Sequence, residues 1–166
     1  MNLRIKKLNS VLKNNDLDGL IVSFSSNISY LTGHTCRDAY LVVSAKENIY
    51  FTDSRYIEEV KKKIAGSFTI KKFNGAFYKL IAESCLGLKL KRIGFEERCL
   101  PFAEYKKIKE GLAGRAGLFP THGLIEELRQ IKSQEELQKI RKATDIAIKA
   151  FKFVKDILVP GKKEIE

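Results

Sequence analysis

Near the end of the chain, apolar residues recur at Leu137, Ile140, Ala143, Ala147, Phe151, Val154 and Leu158. Gaps of three and four draw one stripe along a helix. Ser133 with Glu136 three residues on is a capping box that starts this helix, and Val159-Pro160-Gly161 stops it. At a rise of 1.5 Å per residue the rod is about 39 Å long, longer than is usual in a globular domain. It reads either as a C-terminal core helix or as the first helix of a further domain. The expectation is that it packs on its own domain, pairs with a second copy, or frays beyond the first turns tied by the box.

Upstream, the pattern alternates between helical and strand-like periods. Leu3 to Asn14 reads as an amphipathic helix, Asp16 to Gly19 as a turn, and Leu20 to Phe24 as a buried strand. Ser25-Ser26-Asn27 offers caps for a short helix that ends at Thr32-Gly33, where glycine is free to take positive φ. Ala39 to Ser44 and Asn48 to Thr52 are strands joined by a tight antiparallel hairpin. Asp53-Ser54 caps a helix running to about Ala65. Ser67 to Phe73, Arg92 to Glu96 and Ala116 to Phe119 are further strands. Ala76 to Leu86 and Pro101 to Leu112 are helices, and Leu124 to Ile131 is helical or turn-like. The fold class is therefore α/β with a mixed sheet. The boundary falls between a compact unit, 1–128, and a linker with the long helix, 129–166.

Composition narrows the picture without naming a chemistry. Of 166 residues, 44% are hydrophobic and 31% charged, which suits an ordered core. No apolar run approaches a membrane span, and the basic N-terminus lacks the apolar stretch of a secretory signal. Three cysteines, Cys36, Cys85 and Cys99, match no zinc spacing and read as small buried hydrophobes in a reducing, cytoplasmic compartment. The net charge of +11 comes from 31 basic and 20 acidic residues. The lysines punctuate helices and turns rather than forming one block, and no nucleic-acid motif is present, which argues against nucleic acid.

The sequence carries no recognisable reactive constellation. The two histidines, His34 and His122, belong to no H-E-x-x-H pattern, and there is no G-x-S-x-G elbow, Walker loop or G-x-G-x-x-G. The glycine-rich run Gly111 to Gly117 follows a helix and reads as helix-terminating turns. Glu96-Glu97 and Glu126-Glu127 read as solvated pairs.

Four segments carry a resemblance: Asn27-Ile28-Ser29-Tyr30-Leu31-Thr32-Gly33, Thr52-Asp53-Ser54-Arg55-Tyr56, Ile93-Gly94-Phe95-Glu96, and Leu128 to Glu136 with Ile140-Arg141-Lys142-Ala143. In this order and spacing they resemble the amino-terminal part of the creatinase/prolidase/aminopeptidase P family, the pita-bread metallopeptidases. The resemblance does not separate Xaa-Pro dipeptidase from Xaa-Pro aminopeptidase.

The resemblance implies a creatinase-type amino-terminal domain, with the long helix opening a catalytic domain. In family enzymes that domain holds two divalent metals (Mn, Co or Zn) on two Asp, one His and two Glu, all expected beyond Glu166. The chain alone is then expected to be inactive. Its implied partners are its own catalytic domain, a second copy in a homodimer, and a proline-containing peptide. The loop His34 to Asp38 would reach the neighbouring subunit's cleft. There Arg37 would meet a substrate carboxylate and Asp38 a free amino group. His34 also reads as a capping or packing residue, and Arg37 and Asp38 equally as neighbours on a solvated loop. Structural roles are expected for Asn27 (cap), Tyr30 (core), Gly33 (helix end), Asp53 (helix cap), Arg55 (ion pair), Tyr56 (core) and Gly94 (close backbone approach). The rivals are a non-catalytic relative binding an acidic protein partner and, more weakly, a basic nucleic-acid-binding domain.

Overall fold

The computed structural model describes residues 2–35, 38–64, 66–158, 160–163 and 165. Its elements, in chain order, are α1 (Leu3–Asn14), β1 (Gly19–Val22), α2 (Ser25–Thr32), β2 (Ala39–Ser44), β3 (Ile49–Thr52), α3 (Ile57–Ile64) and β4 (Thr69–Lys72). Then come α4 (Phe77–Gly87), β5 (Arg92–Glu96), α5 (Phe102–Leu112), β6 (Gly117–Thr121), α6 (Leu124–Gln130) and α7 (Gln134–Ile157). The chain divides into two compact units, Met1–Arg129 and Gln130–Glu166.

The first unit is a six-stranded sheet in the order β4-β3-β2-β1-β5-β6. β2 pairs antiparallel with both β1 and β3, and the other pairings are parallel. Only β2 is therefore reversed. The carboxyl ends of the other five strands and the start of β2 share one edge.

Helices cover both faces, so the central strands read as unbroken apolar runs. Alternation along each strand divides the side chains between two cores. Leu20, Val22, Leu41, Val43 and Tyr50 face Ile5 and Leu8 of α1, Ile28 and Leu31 of α2, Val60 of α3 and Ile125 of α6. Ile21, Val42, Phe51, Ile93 and Phe95 face Ile81 and Cys85 of α4 and Ile108 and Leu112 of α5. Cys85 is the buried hydrophobe expected, with its thiol pushed up to about 12 by burial. Cys99 is half-buried. Cys36, and the expected helix end at Ala65, lie outside the described residues.

Two boundaries moved. The helix expected after Asp53 begins only at Ile57, so Asp53 is not its N-cap. Its carboxylate instead accepts from Arg55 N at 2.8 Å and closes a turn ahead of the helix. The last strand runs through Pro120 to Thr121. Gly117 N donates to Lys91 O and Thr121 O accepts from Glu97 N, so Leu118 and Pro120 turn their backbones outward. A proline there has no N–H to offer, and it blunts the open edge.

In the second unit, α7 forms as the stripe predicts. Ser133 Oγ accepts from Glu136 N at 3.2 Å and Glu136 Oε2 accepts from Ser133 N at 2.7 Å. Fraying beyond the first turns, one of the three outcomes expected, is not seen. The helix is continuous to Ile157 and none of its residues is buried. Phe151 is 69% exposed and Ile140 48%.

Gly94 shows how tightly the sheet centre is packed. A Cβ there would lie 2.9 Å from Leu17 Cδ1 and from Thr121 Cγ2, and 3.0 Å from Leu20 Cδ1. Gly87, at the end of α4, has nothing within 4 Å. Gly94→Ala is expected to cost about 1–3 kcal/mol by overpacking. Gly87→Ala should be neutral or stabilising by up to about 1 kcal/mol. Urea midpoints at unchanged slope measure both. Equal effects at the two sites would contradict the packing argument.

Candidate functional site

The shared strand edge gathers the polar groups of the first unit. β5 ends in Glu96, which is only 8% exposed. A buried carboxylate must find donors. Glu96 Oε2 accepts from Ser23 N and Phe24 N, each at 2.7 Å, and Oε1 accepts from Asn27 Nδ2 at 2.6 Å. The same Nδ2 donates to Glu126 Oε1 at 2.8 Å, while Asn27 Oδ1 accepts from Arg129 Nη1 at 2.9 Å. Three of the segments that carry the family resemblance thus meet at one amide.

This geometry corrects three sequence expectations. Asn27 is not a cap: α2 already starts at Ser25, its N-cap is Phe24, and Phe24 makes no side-chain capping bond. The N–H groups of Ser23 and Phe24, just ahead of the helix, are satisfied by Glu96, from 72 or more residues away. Glu96 and Glu126 are not solvated pairs. An acid ending a buried strand signals a need for donors, but nothing local names the partners.

Gly33 ends α2 with φ of 72°, as expected. Tyr30 packs half-buried against the core, lies under Arg4 at 4.4 Å, and donates its hydroxyl to Leu128 O at 3.4 Å.

Beside the cluster lies a cleft of about 230 Å³ lined by Ser23, Asp38, Tyr40, Asp53, Arg55, Phe73 and others. Arg55 bridges two acids: Nη2 donates to Asp38 Oδ2 at 2.7 Å and Nε to Asp53 Oδ2 at 2.9 Å. The ion pair expected of Arg55 is present, and the bond from Arg55 holds the Asp53 carboxyl below its ordinary range. Tyr56 is half-buried against the core with Arg55 over its ring at 5.2 Å. Tyr40 stacks on Phe77 at 4.2 Å and donates to Glu104 Oε2 at 3.3 Å. Burial, with Glu104 beside it, pushes the Tyr40 phenol up.

Of the loop residues, Asp38 reaches this cleft, while Arg37 lies outside the described residues. His34 is only 4% exposed, and its backbone N–H donates to Thr32 Oγ1 at 3.1 Å. Its Nε2 has no hydrogen-bond partner among the described residues. Among the described residues, no group of three or more His, Cys, Asp or Glu side chains converges that could hold a metal ion. No described helix is long and apolar enough to cross a membrane.

The Glu96 cluster makes a pH prediction. Burial pushes the Glu96 carboxyl above its ordinary range, against the opposing bonds from Asn27, Phe24 and Ser23. The folded chain therefore binds that proton more tightly than the unfolded chain. The stabilisation is fully present below the unfolded value, about 4.3, and is lost as pH rises through the folded one. Glu96→Gln removes this dependence. Denaturant titrations should show wild type gaining on the variant as pH falls from about 7 toward 4; a pH-independent difference would sink the linkage.

A sequence profile of the Creatinase/Prolidase N-terminal domain matches residues 4–131. An uncharacterised peptidase of Bacillus subtilis is 29% identical over 163 residues, covering 98% of this chain and 46% of that protein. An Xaa-Pro dipeptidase of Pyrococcus horikoshii is 25% identical over 169 residues, covering all of this chain and 45% of that protein. Among solved structures, an Xaa-Pro dipeptidase from Bacillus anthracis superposes with a TM-score of 0.90 at 28% identity, over 98% of this chain and 45% of that one. The chain spans less than half the length of these relatives.

Proposed function

The chain belongs to the Creatinase/Prolidase N-terminal domain family, and from that premise we propose that it is the dimerising, cleft-completing front part of a metal-dependent Xaa-Pro peptidase. The observation that carries this reading is the profile match over residues 4–131, combined with coverage that stops short of half of each peptidase relative. In the whole protein the reaction is hydrolysis of the peptide bond before proline. Two divalent ions (Mn, Co or Zn) in the catalytic portion would supply Lewis-acid polarisation of the carbonyl and activation of the attacking water.

This chain's contribution is positional. Residues 1–128 form the amino-terminal domain, and 129–166 the linker and first helix of the catalytic portion. The exposed apolar stripe of α7 supports that role, since it presents large side chains with nothing buried against them. The loop from His34 to Asp38 reaches a neighbouring subunit's cleft in a homodimer, in the cytoplasm. Asp38 meets the substrate's free amino group there, Arg37 its carboxylate, and His34 supports the loop from within. A second reading, a non-catalytic family member that binds an acidic protein, is favoured only by the net charge of +11.

The test is an Xaa-Pro dipeptide assay with added Mn²⁺ on the full-length protein and on residues 1–166. The full-length protein should cleave and the fragment should not. In the full-length enzyme, Asp38→Asn should raise KM by about tenfold or more with a smaller change in kcat, as expected for a lost charged contact. Cleavage by the fragment alone, or an inert full-length protein that instead binds an acidic partner, would overturn the proposal.

A further inference from the structure

We propose that Asn27 is a positioning residue that couples the cleft wall at Ser23 and Phe24 to α6, the last element of the first unit. The inference rests on hydrogen-bond geometry and stands whether or not the cleft meets a peptide.

Asn27 is fully buried, so water does not replace its partners. Its Nδ2 donates to Glu96 Oε1 at 2.6 Å and to Glu126 Oε1 at 2.8 Å, and its Oδ1 accepts from Arg129 Nη1 at 2.9 Å. Glu96 in turn holds Ser23 N and Phe24 N at 2.7 Å. The described hydrogen bonds link Glu96 to Arg129 through Asn27. Only a carboxamide offers two donors for two carboxylates and an acceptor for a guanidinium at one position. Aspartate would add a third acid, and alanine would leave all three partners short.

This link ties α6 to the cleft wall. The helix has seven residues, of which Ile125 is buried and Leu124 and Leu128 pack half-buried against the same core. Its polar ties are Glu126, Arg129 and the Tyr30 hydroxyl on Leu128 O. Moving the Ser23 corner therefore moves Glu96, then the Asn27 amide, then α6. The relay also runs in reverse, because coupling between sites is reciprocal.

The test is residue-resolved amide hydrogen exchange on the 166-residue chain. Asn27→Ala strips three bonds from a buried site and risks unfolding, so Arg129→Met and Glu96→Gln carry the experiment. Arg129→Met should speed exchange at Ser23 and Phe24 about fivefold or more while leaving β2 and β3 unchanged. Arg129→Lys, which can still donate to Asn27 Oδ1, should restore both to within about twofold. Glu96→Gln should speed exchange in α6, and the double variant should match the larger single effect rather than their product. Exchange changes confined to α6 in Arg129→Met, no rescue by lysine, or multiplicative effects in the double variant would each overturn the coupling.

Discussion

A carboxylate at the end of a buried strand has to be satisfied, and the way Glu96 is satisfied organises the first unit. Its donors are not solvent but the N–H groups at Ser23 and Phe24 and the amide of Asn27. That choice ties β5 to the start of α2 across its neighbour β1, and through Asn27 to α6. The interaction is local in space and remote in sequence, with separations of 69 to 73 residues for Glu96 alone. Breaking one member leaves Asn27 or Glu96, both buried, short of a partner, where the desolvation cost of an unpaired group is not recovered. The cluster therefore acts as a unit, and its members are poor candidates for piecemeal substitution.

The reversed strand β2 is the second constraint. With β1, β3, β4, β5 and β6 all running one way, their carboxyl ends crowd one edge, as in open α/β sheets whose ligands bind there. Reversal of β2 brings its starting residues to the same edge, so Asp38 and Ala39 join Ser23 and Asp53 around one cleft. At this edge the Arg55 bridge holds the Asp38 carboxylate, while His34 is buried a few residues upstream.

The elements of this fold were legible from period alone, and the polar cluster was not. Runs such as Leu20 to Val22 and the stripe from Leu137 to Leu158 signal their own conformation, because burial and helical spacing are local properties of a sequence. Asn27 and Glu96 look ordinary at their own positions. A serine-serine-asparagine run reads as a cap, and paired glutamates read as surface. What makes them otherwise is a partner far along the chain, and no local pattern encodes that. The same limit explains Asp53, whose capping chemistry was visible while the turn it closes ahead of α3 was not.

The long helix marks where local and tertiary arguments separate. Its box, its internal Glu135–Lys139 pair at 2.6 Å and its alanines favour helix from within. These terms hold the helix continuous even with no buried residue, which is why the expected fraying is absent. They do not account for the stripe. Phe151 and Val154 are weaker helix formers than Lys, Gln or Glu, Leu158 lies past the helix end, and leaving all three in water forgoes the ~1.5–3 kcal/mol that each gains on burial. A sequence that keeps such residues in register over six turns is shaped by a surface they cover. In the family to which this chain belongs, the matched relatives are more than twice its length.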